Sequence, residues 1–373
     1  MRRSFRGQVS INRGDPMQAS DIAILVLTRS NSEEDIRNVL LHQSESGLGL
    51  EYAGSDKMDI CTEVEVLMFL RPRSVHLLHL FEFRTHVLDI KFNDRLDWEV
   101  ENLVVQSSHG DITFTSTKWG FSHAATRASY DHEFLDGSDE ASPLASNNVT
   151  LSSTSGDITG YYVAKGHVKA RSEDGWIGLA LIPQRDGTVN LESISVYTVS
   201  GTIHVEVAIP YWPSQPHTHI TEIHTVFGEL WAYIPHGSFT NLTSDEAIMA
   251  VIIPYGTINP NDPSEIHTYS KSGYTHVRLT ETDPDSLEGG YDPLFNTISN
   301  HRVEDGKLEL IYPKTWFGIL EARIDHGPLI FHSSALRDIE RGEGYVKAKR
   351  GHKGDSRLDA CVQTGDMSIQ LGL

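Results

Sequence analysis

A glycine set between two short strand-like runs recurs along this chain, and that recurrence constrains the fold more than any other feature. Asn148 to Gly160 reads NVTLSSTSGDITG, and the earlier stretch Asn102 to Phe114 reads NLVVQSSHGDITF. Each alternates, passes a small polar pair, bends at Gly156 or Gly110, and resumes with Asp-Ile-Thr. Glycine enters positive φ at little steric cost, and β-branched residues restore the extended form. Looser copies follow at Gly175 (HVKARSEDGWIGL), Gly201 (ISVYTVSGTIHVEV), Gly228 (TEIHTVFGELWAYI), Gly273 (EIHTYSKSGYTHVRL), Gly327 (LEARIDHGPLIF) and Gly365 (LDACVQTGDMSIQL). A copy without glycine surrounds Ala247 in FTNLTSDEAIMAVI.

From Gly156 to Gly273 the spacings are 19, 26, 27 and 45 residues, and the last divides into 19 and 26 at Ala247. Self-similarity near this period marks stacked coils, each too small to bury a core by itself. The expected fold is all-β: a β-solenoid of irregular coils with a β-rich N-terminal cap. The alternative is a sandwich of hairpins joined by ordinary glycine turns, but turns of that kind do not require the repeated T-x-x-G-x-[ILMW] flank.

The expected organisation is a flexible tail over residues 1–18, a cap over 19–92 and the repeat domain over 93–373. Ile22–Thr28, Glu63–Leu70 and Leu77–Phe92 read as strands. Ser32–Leu41 reads as a helix, with Ser32 as N-cap. Polar excursions are expected at 118–146, 210–220 and 282–303, and a charged loop at Arg337–Arg357, ahead of a closing coil at Leu358–Leu371. Loops tolerate variation that packed coils do not, so these excursions are where a partner is expected. Tyr211, Trp212 and Tyr291 are their candidate contacts.

The chain has 373 residues and a formal net charge of −20, which argues against a nucleic-acid partner. No apolar run approaches the ~18–20 residues of a membrane span. The N-terminus, MRRSFRGQVSINRGD, has no apolar stretch behind its basic residues and does not read as a secretory signal. Cys61 and Cys361 allow one disulfide or two buried thiols; the second is favoured.

The corner motifs SSHGDI, STSGDI, TVSGTI and TGDMSI resemble the repeats of the adhesin-like β-solenoid proteins of the DUF4097 type, most closely their fungal branch. LDWEVENLVVQSSHGD resembles that family's first coil. LIYPKTWFG resembles the YP-x-x-W-x-G that precedes its penultimate coil, and the charged stretch around Arg341 resembles the one before its last coil. The resemblance covers roughly residues 60–373. It implies a non-enzymatic surface or binding module with an unknown protein or glycan ligand, no cofactor, and a cell-surface or membrane-associated setting. It carries over no catalytic residues.

Two chemical readings compete with that one. Asp111, Asp157 and Asp366 each follow a bend glycine, and stacked coils would align them as a ladder of the kind used for acid–base work on a glycosidic bond. At a turn, aspartate more commonly bonds backbone. His217, His219, His224 and His236 form the densest histidine group. His217 and His219 would share a face of a strand and offer a pair for zinc or iron. The segment superficially resembles a cupin metal motif through Glu222, Gly228, Pro235, Gly237 and Asn241, but its spacing fails, and a surface strand carrying histidines is the plainer reading. The sequons at Asn148 and Asn241 matter only in a secreted protein.

Overall fold

The computed structural model describes residues 4–31, 33–37, 39–43, 48–52, 61–72, 77–93, 96, 98–115, 144–183, 191–207, 218–256, 261–280, 292–333, 336–351 and 355–372. In chain order the strands begin with β1 (Ser4–Arg13), β2 (Ile22–Ser30), β3 (Val39–Gln43), β4 (Leu48–Tyr52), β5 (Cys61–Leu70), β6 (Leu77–Thr85), β7 (Asp89–Phe92), β8 (Glu99–Ser107) and β9 (Ile112–Phe114). They continue with β10 (Ala145–Ser153), β11 (Ile158–Asp174), β12 (Ile177–Pro183), β13 (Ser193–Ser200), β14 (Ile203–Val207), β15 (Ile220–Phe227), β16 (Leu230–His236), β17 (Phe239–Ser244) and β18 (Ile248–Pro254). The last are β19 (Ser264–Leu279), β20 (Thr297–Tyr312), β21 (Gly318–His326), β22 (Leu329–Ser333), β23 (Leu336–Gly342), β24 (Tyr345–Arg350) and β25 (Ser356–Leu371).

The molecule is all-β, and its main sheet is a parallel, solenoid-like stack with two faces. On the first face the pairing runs β6, β8, β10, β11, β13, β15, β17, β19, β20, β25, β21. On the second it runs β5, β1, β7, β9, β11, β12, β14, β16, β18, β19, β20, β25, β22. Long strands such as β19, β20 and β25 bend at their glycine and serve both faces.

Period-two alternation puts the apolar side chains of both faces inward. β20 buries Thr297, Ser299, His301 and Val303 before its bend and Leu308, Leu310 and Tyr312 after it. Burying one Leu, Ile or Val side chain stabilises by about 1.5–3 kcal/mol, so a single coil gains too little to offset the entropy of ordering it. Stacking makes one continuous core. Rings reinforce it: Phe92 stacks on Phe114 at 3.9 Å, and Phe114 meets Tyr162 at 4.3 Å.

Several expectations change. Residues 4–13, read as tail, form β1, with Ile11 fully buried. The signal was present in the alternation of Phe5, Val9 and Ile11. The parallel ladder crosses the 92/93 boundary, since β6 pairs with β8 and β7 with β9. Leu77–Phe92 is two strands that turn at Leu88 without a glycine. The helix is a single turn, Glu33–Arg37, and Val39–Gln43 pairs with β4 as a hairpin instead. The charged stretch before the last coil is an antiparallel hairpin, β23–β24, docked on β21.

The C-terminal end departs most. β25 is not the closing coil. It lies between β20 on one side and β21–β22 on the other, so the chain leaves β20, skips a rung, builds the outer rung and returns to fill the gap. The YP-x-x-W-x-G stretch makes the skip. Trp316 is fully buried and meets Tyr312 at 5.7 Å. Arg350 Nη1 donates to the carbonyls of Pro313 (3.1 Å) and Trp316 (3.2 Å). Gly318 passes so close to Ser356 that a Cβ there would stand 2.1 Å from its carbonyl oxygen.

Candidate functional site

The bend glycines stand above one another. A Cβ on Gly156 would lie 2.2 Å from the Gly110 carbonyl oxygen, one on Gly201 2.2 Å from that of Gly175, and one on Gly228 2.3 Å from that of Gly201. The column runs Leu88, Gly110, Gly156, Gly175, Gly201, Gly228, the Glu246–Ala247 corner, Gly273, Gly306, Gly365 and Gly327. Gly306 and Leu88 were missed from sequence. Gly306 sits among charged residues in VEDGKL, and Leu88 is not a glycine.

From Gly156 to Ala247 the Ser or Thr three positions before each bend points inward and caps the rung below. Thr225 Oγ1 donates to Gly201 O (3.0 Å), Ser244 Oγ to Gly228 O (2.7 Å) and Ser172 Oγ to Gly156 O (3.2 Å). Buried carbonyls that the corner takes out of the ladder are thereby satisfied. Beyond Ser270 the same column turns apolar, with Val303, Val362 and Ile324.

The aspartates after the bends are tied to the same scaffold. Asp89 Oδ1 accepts from Asp111 N–H (2.9 Å), Asp111 Oδ1 from Asp157 N–H (2.8 Å) and Asp157 Oδ1 from Trp176 N–H (2.8 Å). Asp89 was missed. Asp366 stands apart from these three, in register with Lys307. The carboxylates hold the next rung's backbone, where the sequence suggested each would bond its own.

His217 lies outside the described residues. His219 and His236 do not sit on a surface strand: both point into the core. His219 Nδ1 is 2.7 Å from Leu191 O and its Nε2 is 2.9 Å from Thr221 Oγ1. His236 Nδ1 is 2.9 Å from Thr240 Oγ1, and burial, with His219 nearby, pushes its pKa down to about 3. Threonine is the common partner, which explains why this interior reads as polar in sequence. Among the described residues no three His, Cys, Asp or Glu side chains could together hold a metal ion, and no helix is long and apolar enough to cross a membrane.

Tyr211, Trp212 and Tyr291 lie outside the described residues. A different surface emerges from the register. On the outer side of the first face one row, perpendicular to the strands, runs Arg171, Tyr197, His224, Thr243, Tyr269, Arg302, Cys361, Arg323, Tyr345. Arg171 stands 5.2 Å over the Tyr197 ring, which stacks on His224 at 5.3 Å and 13°. Arg323 stands 5.6 Å over Tyr345. Such cation–π contacts hold guanidinium planes flat against a surface while leaving their N–H edges free to bond. Cys361 is a free, half-exposed thiol in this row, neither buried nor disulfide-bonded.

At the Arg171 end, Lys169, Ala170, Arg171, Ser195 and Tyr197 line a shallow depression of about 190 Å³. Both cations are exposed, and neither makes an ion pair with a described residue. No protein-family model, curated protein or solved structure matches the chain.

Proposed function

We propose that the chain is a non-enzymatic binding module, a β-solenoid of the adhesin-like kind, whose outer first face meets the ligand. The observation that supports this is the solvent-facing Arg171–Tyr197–His224 stack on three consecutive rungs, its arginine exposed and its two rings half-buried. Rigid strands hold it, so little side-chain entropy is lost when a partner settles on it. An aromatic ring offers apolar area with a fixed orientation, and the adjoining guanidinium adds directional donors. The interior histidines and corner aspartates contribute to the scaffold's own bonding.

The test is binding of the purified chain to a panel of neutral and acidic oligosaccharides, with Tyr197→Ala and Arg171→Ala as variants. Retained folding with binding reduced roughly tenfold or more in either variant supports the reading. Binding of equal strength in both variants removes this face from the account.

A further inference from the structure

We propose that the depression at Lys169, Arg171, Ser195 and Tyr197 takes a carboxylated sugar of an extended acidic glycan. This rests on the binding reading above and adds the ligand's chemical class. The chain carries 51 acidic residues against 31 basic ones. Here two cations stand at alternate positions of one strand, on the same face, and neither is paired with a described carboxylate. The nearest acidic side chains in the pattern are Glu173, two positions beyond Arg171, and Glu222, in register with Ser195. They border the patch without closing it.

Each lining group has a matching role. Arg171 presents a planar fork suited to bidentate contact with a carboxylate, and Lys169 adds a second charge to the same oxygens. The Tyr197 ring, covered on its two faces by Arg171 and His224, offers its edge and its hydroxyl to the sugar. The Ser195 hydroxyl gives or accepts one hydrogen bond to a ring hydroxyl. The row continues across the rungs at the ~4.8 Å strand spacing, a repeat close to the advance per sugar of an extended glycan. Further along, Arg302 and Arg323 continue the cationic character, although Glu321 lies 3.9 Å from Arg323.

The experiment titrates the full chain with a uronic-acid oligosaccharide and, separately, with its methyl ester, which keeps the ring and removes the charge. The acid is expected to bind roughly tenfold more tightly than the ester, since a charge-assisted contact is the difference between them. Its affinity is expected to fall as salt rises. Arg171→Gln and Lys169→Gln should abolish that preference while leaving the melting temperature unchanged. Tyr197→Ala should weaken both ligands. If acid and ester bind alike and both depend on Tyr197, the face binds glycans but the carboxylate assignment is overturned. If neither binds, the assignment is overturned as well, and a protein ligand on the same stack then decides the broader reading.

Discussion

The Nε2 of His301 lies 2.8 Å from the hydroxyl of Tyr312, inside the core, while its Nδ1 lies 2.8 Å from Thr268 Oγ1. Both ring nitrogens are thus engaged by hydroxyls, and burial pushes the pKa down to about 3. His236 is likewise fully buried and also at about 3, although only its Nδ1 has a partner, Thr240 Oγ1, and its Nε2 has none among the described residues. In the unfolded chain a histidine titrates near ~6.5. The folded value is the lower of the two, so the unfolded state takes up protons first. Stability from these groups is complete above about pH 6.5 and declines as pH falls toward about 3. Thermal melts across that window should show a falling midpoint, and His301→Gln should flatten the fall. A slope unchanged in that variant would mean that His301 is not among the groups that titrate on unfolding.

Replacing bend glycines tests the corner column. Gly201 has φ 153° and faces the Gly175 carbonyl. Gly201→Ala adds a Cβ in a region that disfavours side chains and against fixed backbone, with an expected cost of at least ~2 kcal/mol. Gly342→Ala is the control, because its added Cβ would meet only Tyr345 Cβ at 3.9 Å; its expected effect is within ~0.5 kcal/mol. Thr225→Val strips the cap from the Gly201 carbonyl and should cost ~1–3 kcal/mol. Urea unfolding of the three variants checks the ranking, which equal costs at Gly201 and Gly342 would overturn.

That column was legible because its signal is local. A glycine, a hydroxyl three residues before it and an apolar residue two after it are all fixed by one corner, and they recur in the sequence. What was not legible depends on partners far along the chain. β1 pairs with β5 and β7, which begin beyond residue 60, so an alternating N-terminus looked like a tail. The place of β25 is a matter of pairing order, which no local pattern encodes. Inward His219 stands among Thr218, Thr221 and Glu222 and therefore mimics part of an exposed strand. The Arg171–Tyr197–His224 stack needs the register between three separated segments, although each member could be read from the two-residue period of its own strand.

The inserted strand makes a specific stability claim. Trp316 packs where the chain steps past β25, and Trp316→Ala should cost ~3–5 kcal/mol, the range for emptying a large buried site. Loss should be uneven. Amide exchange ought to rise first in β25 and β21, next to the altered site, and last in β13 and β15, several rungs away. Exchange that rises uniformly along the stack would instead mean that the rungs open together and that the C-terminal insertion has no independent stability.

The aspartate ladder yields the last test, because it separates a structural role from a chemical one. Asp157 accepts the Trp176 backbone N–H at 2.8 Å, and its own N–H donates to Asp111. Asp157→Asn keeps an acceptor oxygen in place and should leave stability within ~0.5 kcal/mol. Asp157→Ala removes the acceptor, and the loss of a bond to a charged group should cost ~1.5 kcal/mol or somewhat less at this exposed corner. Asp366→Ala, in register with Lys307 and away from the ladder, should have little effect. Differential melting of the three variants reads this ordering directly. An asparagine variant as damaged as the alanine one would show that negative charge, and not the acceptor geometry, is what the corner requires.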